Sequence, residues 1–98
     1  MEKGNGKTIS NNTVQSITLS GSNNNKIYGN VISVAHPNGC GIVLQVAKLN
    51  EIYDNIISNK HYGIYFDSDR GRNKFNVIYR NNISNNDYGI YLPGSNLG

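Results

Sequence analysis

The side chains best suited to chemistry fall into three groups. The run DSDRGRNK brings together Asp67, Asp69, Arg70, Arg72 and Lys74, the one dense charge cluster in the sequence. Carboxylates so placed can act as acid and base or ligate calcium, and Arg70 or Arg72 can hold a substrate carboxylate, which are the parts a polysaccharide lyase or hydrolase needs. A solvated loop carries the same residue types, and calcium asks for about six oxygen ligands. The nonapeptide G-G-x-G-x-D signature of calcium-binding β-helices is not in the sequence.

The second group is His61 with Asp87, which a repeat register described below brings within one strand spacing, about 5 Å. An imidazole beside a carboxylate is a base with its orienting partner. No Ser or Cys nucleophile is placed next to them, so a surface hydrogen bond is the plainer reading. His36, beside Pro37, reads as structural, and Cys40 as a small apolar filler. A single cysteine excludes an internal disulfide and a Cys-based zinc cluster.

The third group is the tyrosines, 7 in all. In the repeat register Tyr28, Tyr53 and Tyr79 form one column, Tyr65 and Tyr91 another, Tyr62 and Tyr88 a third. Inward parity at Ile27 and Ile64 turns Tyr28, Tyr65 and their equivalents outward. Such columns shield the strands by packing on each other. They also present flat rings with polar tips suited to sugars, so Tyr28, Tyr53, Tyr79, Tyr65 and Tyr91 are the candidate carbohydrate contacts.

What must position these groups is a repeat. Residues 25–33 read NKIYGNVIS, residues 50–58 NEIYDNIIS and residues 76–84 NVIYRNNIS, a shared N-x-I-Y-x-N-x-I-S at offsets of 25 and 26. GIVL at Gly41, GIYF at Gly63 and GIYL at Gly89 follow in turn, and ISNN from Ile9 with SITL from Ser16 matches ISNN from Ile83 with GIYL from Gly89. The apolar positions sit in short clusters separated by Asn, Gly and Ser, which suits three short strands per unit and not a 3.6-residue period. Such a chain walks round a coil and arrives one strand spacing higher, about 4.8 Å. Ile27, Ile52 and Ile78 then stack; so do Ile32, Ile57 and Ile83, continued by Ile9; so do Ile17, Ile42, Ile64 and Ile90, and Leu19, Leu44, Phe66 and Leu92. Asn30, Asn55 and Asn81 share a corner, where Asn tolerates left-handed backbone and amides ladder. Gly41, Gly63 and Gly89 share another, where a sharp bend needs the room. Lys26 faces Glu51, and Asp54 faces Arg80, as register-fixing pairs. Two units carry insertions, VAHPNGC and the charged run, and added loops gather where ligands bind.

Composition agrees. Asn (18), Ile (12) and Gly (11) dominate the 98 residues, which rules out a helical bundle. A net charge of +3 without a basic run gives no case for nucleic acid, and no apolar stretch reaches the roughly 20 residues that span a bilayer. The start, MEKGNGKTIS, lacks the apolar region of a secretory signal.

At these repeats the sequence resembles the right-handed parallel β-helix proteins of the pectin-lyase-like superfamily, most closely the Asn- and Ile-rich repeats of NosD-like and other carbohydrate-binding and sugar-hydrolase (CASH) domains. The resemblance covers about nine tenths of the chain. It implies an association with polysaccharides at cell surfaces, in the periplasm or on phage tails, and for NosD itself a link to copper-centre maturation. With 2 His, 1 Met and 1 Cys, the chain has few copper donors, and the acidic, His and Arg/Lys motifs of the enzymes in the superfamily are not intact in it.

The expectation is therefore an all-β, single-stranded right-handed parallel β-helix of about four coils with three short strands per coil. It forms one domain over 1–98, with units at about 22–47, 48–70 and 71–97 and a partial unit at 7–21, as a fragment of a longer solenoid. The expected role is a polysaccharide-binding or structural module of an extracellular, periplasmic or cell-surface protein, more a binder than an enzyme. No metal or cofactor is required, calcium being the one candidate. Expected partners are a glycan and either flanking coils or copies of the chain at the open ends. The alternatives are a lyase, hydrolase or uronate epimerase working through the Asp67–Lys74 loop, and a plain spacer.

Overall fold

The computed structural model describes residues 5–67 and 73–91. Within them the chain forms β1 (Thr8–Ser10), β2 (Ile17–Ser20), β3 (Lys26–Tyr28), β4 (Val31–Ile32), β5 (His36–Gln45), β6 (Glu51–Tyr53), β7 (Ile56–Ser58), β8 (Lys60–Phe66), β9 (Val77–Tyr79), β10 (Asn82–Ser84) and β11 (Tyr88–Tyr91). They pair in parallel into three sheets, ordered β1-β3-β6-β9, β4-β7-β10 and β2-β5-β8-β11. The chain visits the three sheets in rotation and pairs each strand with its equivalent one circuit earlier, so the sheets are the faces of a parallel β-helix.

Register follows the apolar columns. Ile27 pairs with Ile52 and Ile52 with Ile78; Ile32 with Ile57 and Ile57 with Ile83; Ile17 with Ile42, Ile42 with Ile64 and Ile64 with Ile90. Inside the two middle coils these isoleucines are fully buried, together with Leu19 and Leu44. β-branched side chains suit this setting, since each lies on its own kind in the next rung with χ1 already restricted. Leu92, the last member expected in the Leu19 column, lies outside the described residues.

One column differs from the sequence expectation. Ile9 pairs with Ile27, not with the Ile32 column, and Val14 continues the latter, its N–H donating to the Val31 carbonyl. The first coil takes only 18 residues from Lys7 to Asn25, whereas Gln45 and Asp67 are 22 apart. It skips one corner, so the eight-residue step from Ile9 to Ile17 mimics the seven-residue step from Ile83 to Ile90 without sharing its path.

Corners are built from a pair of residues. The first has positive φ, and the second is most often an Asn whose amide points inward, with Lys60 and Ala47 among the exceptions. At one corner Asn11, Gly29, Asp54 and Arg80 are left-handed, and Asn12, Asn30, Asn55 and Asn81 follow them; the left-handed residue is thus the one before the Asn expected there. Asn55 Oδ1 accepts from Asn30 N and Nδ2, while Asn55 Nδ2 donates to the Ile27 carbonyl and to Asn81 Oδ1. Asn25, Asn50 and Asn76 build a second ladder in the same way. Gly41 and Gly63 are glycines for room and not for φ: a Cβ on Gly63 would lie 2.5 Å from the Gly89 carbonyl oxygen and 2.9 Å from Ile83 Cγ2.

The first insertion is divided. One extra residue precedes β5, and a register shift between His36 and Cys40 absorbs the rest, with His36 paired to Lys60 and Cys40 to Tyr62. His61 is therefore the single residue of β8 that faces this irregularity.

Candidate functional site

On β8 and β11 the sequence Y-G-I-Y places two tyrosines per coil on the outside of the helix while Ile64 and Ile90 keep their inward column. Tyr62 stacks on Tyr88 at 5.2 Å between ring centroids and 20°, and Tyr65 on Tyr91 at 5.5 Å and 3°. The two stacks meet at an angle, Tyr62 lying 4.9 Å from Tyr65 at 48° and 4.8 Å from Tyr91 at 46°. Tilted rings leave faces and edges at several orientations, and Tyr88 is 49% exposed. Burial in this cluster raises the pKa of Tyr62, as do the neighbouring phenols; Tyr65 is raised by burial and then by Asp67. Both of these rings are therefore neutral at physiological pH.

His61 packs edge-on against Tyr62 at 4.3 Å and Tyr88 at 5.5 Å. Its Nδ1 lies 2.7 Å from Asp87 Oδ2, as the 26-residue offset predicts. With Nδ1 engaged, the carboxylate sets the ring orientation and leaves Nε2 as the nitrogen turned to other partners. At the other side of the cluster Gln45 Nε2 donates to Asp67 Oδ2 at 2.9 Å. Asp67 is anchored further by its N–H to the Leu44 carbonyl and by Asn73 Nδ2 on its own carbonyl. Two planar polar pairs thus rim an aromatic patch.

Of the charged run, Asp67 and Lys74 are described; Asp69, Arg70 and Arg72 lie outside the described residues. Lys74 belongs to a short column of its own, bridged to Lys48 and through it to Asn23. Sequence reasoning placed His61 and Asp87 together but gave Gln45 no role and left Tyr62 and Tyr88 out of the binding set. The signals were present: Gln45 and Asp67 are one uninterrupted coil apart, and Tyr62 and Tyr88 precede the glycines by one residue.

The remaining tyrosines behave differently. Tyr28, Tyr53 and Tyr79 stack at 5.0 Å with interplanar angles of 12° and 8°, so their faces lie on one another and what reaches solvent is a line of edges and hydroxyls. Tyr79 hydroxyl donates to Glu51 Oε1 at 3.5 Å, and burial with Glu51 raises its pKa. Beside them Asp54 and Arg80 form the expected ion pair at 3.1 Å, and the Arg80 guanidinium sits 5.2 Å from the Tyr79 ring centre. Lys26 and Glu51 are register partners.

A chain that rotates through three parallel sheets on ladders of Ile and Asn is a β-helix repeat protein. Residues 3–96 match the family described as periplasmic copper-binding protein (NosD), nearly the whole length, and the chain belongs to that family. No curated protein and no solved structure matches it. The family is periplasmic, and among the described residues no helix is long and apolar enough to cross a membrane.

The metal in the family's description can be tested against the donors. Among the described residues no three His, Cys, Asp or Glu side chains converge. His61 offers a single nitrogen, Nε2, and is not one of a converging group, and burial raises the pKa of the Cys40 thiol, away from the thiolate that copper takes. The described residues do not fit a copper centre, and no chemistry is routed through one.

Proposed function

We propose that this periplasmic β-helix domain is a polysaccharide-binding module whose contact surface is the patch of Tyr62, Tyr65, Tyr88 and Tyr91. The observation that carries the reading is their tilted packing between the His61–Asp87 and Gln45–Asp67 pairs. Tyr supplies an apolar plate with a polar tip, and a few fixed hydrogen-bonding groups beside such plates give orientation, as in ligand sites generally. Carboxylate, amide and imidazole are groups that pair with adjacent sugar hydroxyls. The Tyr28–Tyr53–Tyr79 column extends the contact only through its edges and hydroxyls, because its ring faces are taken.

The test is retention on a panel of neutral and uronate polysaccharides, by affinity electrophoresis and calorimetry. Tyr88→Ala should weaken retention about tenfold, the value of losing one aromatic contact of this kind, whereas Tyr53→Ala should leave it within about twofold. No retention of any glycan, or retention indifferent to Tyr88, overturns the reading.

A second reading is favoured by the 2.7 Å His61–Asp87 contact: a base held in place for proton abstraction from a uronate, hence a lyase or epimerase. Product formation on the uronate members of the same panel, lost in His61→Gln, would establish it.

A further inference from the structure

We infer that the corner carrying Lys48, Leu49, Lys74 and Phe75 is a docking surface for an anionic lipid membrane. The inference is independent of the glycan reading and uses none of the tyrosine patch.

The rungs of this corner set its residues in two columns. Gly6 N–H donates to the Asn23 carbonyl, Asn24 N–H to the Lys48 carbonyl and Leu49 N–H to the Lys74 carbonyl, so Gly6, Asn24, Leu49 and Phe75 lie over one another, about 4.8 Å per rung. All four are left-handed. Asn23, Lys48 and Lys74 form the adjoining column. The first two rungs use residues that such a corner favours. Gly and Asn tolerate positive φ, and Asn5 and Asn23 each accept the N–H of the next residue in their column. The last two rungs depart from that rule in both columns.

Each departure costs the free protein stability. Leu49 and Phe75 both hold φ at 59°, a conformation that bulky side chains rarely take. Burial does not offset the strain, since they are 53% and 68% exposed. Leu49 has a rung on either side, in Asn24 and Phe75, so its exposure comes from a side chain that points away from the helix and not from a missing neighbour. Lys48 and Lys74 set like charges on adjacent rungs. The Lys48 side chain has no acceptor to offer the Lys74 N–H, which turns to the Ala47 carbonyl at 3.3 Å. Both lysines are exposed, and among the described residues neither forms an ion pair.

Single exposed apolar residues are ordinary, but here two share a strained corner with two opposed cations. Exposed Lys26 lies beside them; Glu51, its register partner, is partly buried and takes the Tyr79 hydroxyl. The edge is convex. Apolar side chains on a convex edge fit a soft interface that closes around them, and paired lysines fit a surface of phosphate headgroups, whose charge removes their mutual repulsion. The family is periplasmic, and phospholipid membranes bound that space. Leu49 and Phe75 would enter the boundary between headgroups and acyl chains, with Lys48 and Lys74 at the level of the phosphates.

Flotation of the 98-residue chain with vesicles of phosphatidylcholine, with and without phosphatidylglycerol, tests this. The expected result is retention on the anionic vesicles that falls as salt is added. Leu49→Asn and Phe75→Asn restore the residue type found at Asn24 and should each weaken retention about tenfold, the value of one partly inserted apolar side chain. Lys48→Gln and Lys74→Gln should each weaken it about fivefold. The Asn variants relieve strained backbone and should melt no lower than the parent, so lost retention would not be lost fold. No retention on anionic vesicles overturns the inference, as does equal retention on neutral ones or retention that ignores all four substitutions. Self-association, or binding to polyglutamate, that is lost in Leu49→Asn while vesicles are not bound would give the corner to a protein partner and overturn it equally.

Discussion

Asn55 and Asn81 are joined twice: Asn81 Oδ1 accepts from the Asn55 backbone N–H and from its Nδ2, both at 3.0 Å. Asn55 is buried, and its own Oδ1 repeats the arrangement toward Asn30. The side chain satisfies backbone groups that a corner removes from the sheets, where an unpaired amide would carry its full desolvation cost.

Replacing Asn55 by Leu strands the Asn30 N–H and the Ile27 carbonyl and should cost roughly 3 kcal/mol in urea unfolding. Asn55→Asp is more informative. It keeps an acceptor for Asn30 but turns an oxygen toward the Ile27 carbonyl and Asn81 Oδ1, so the buried carboxyl is held protonated and its folded pKa rises above the unfolded one. Its stability should be greatest in acid and fall as pH climbs through the raised value. A variant as stable as the parent at neutral pH would remove the ladder from the account of what holds the corners.

The glycine and left-handed positions give opposite signs. Gly63→Ala puts a Cβ 2.5 Å from the Gly89 carbonyl oxygen, a backbone atom held in the next rung, and should destabilise by about 2 kcal/mol. Phe75 has φ 59° with 68% of its surface exposed. Phe75→Gly relieves a left-handed residue that buries little and should stabilise by about 0.5–1 kcal/mol. Thermal unfolding followed by circular dichroism measures both.

The columns were legible because a fixed offset puts like residues over like, and Ile27, Ile52 and Ile78 or His61 and Asp87 need no more than that offset. Ile9 was not, because the first coil drops a corner and local spacing alone cannot distinguish a missing corner from a shifted start. The left-handed positions were hidden for another reason. Gly29, Asp54 and Arg80 share a backbone conformation but no side-chain property, so only the Asn after each of them repeats in the sequence. The Tyr62 and Tyr88 cluster was hidden because burial along β8 does not alternate strictly: Gly63 and Ile64 are both buried, so Tyr62 and Tyr65, three apart, share the outer side.

The tyrosines predict alkaline behaviour. Burial raises Tyr62, Tyr65 and Tyr79, with help from neighbouring phenols at Tyr62, Asp67 at Tyr65 and Glu51 at Tyr79. As pH climbs past the ordinary tyrosine value of 10.0, the unfolded chain loses these protons first. Their contribution is therefore complete below that value and declines as pH rises through the folded pKa values. Phenolate absorbance should show part of the tyrosines ionising late and together with unfolding. Ionisation of every tyrosine in one ordinary step, with the fold intact, would contradict the packed stacks.

Lys60 titrates with the opposite sign. It fills, one coil earlier, the inward corner slot that Asn86 fills, with Nζ donating to the Val34 carbonyl and its own N–H taken by Asn86 Oδ1. The residue is 2% exposed, and burial lowers its pKa from 10.5. Between the lowered folded value and 10.5 the unfolded chain binds more protons, so stability gains from this group as pH rises through that window. Lys60→Asn supplies the corner amide without a charge to desolvate, and should stabilise the protein by about 1 kcal/mol at neutral pH while removing that gain. Urea unfolding of parent and variant from neutral to mildly alkaline pH measures the difference, which should be largest at the neutral end. A constant difference across the range would mean that the Lys60 amine is solvated enough to keep its ordinary pKa.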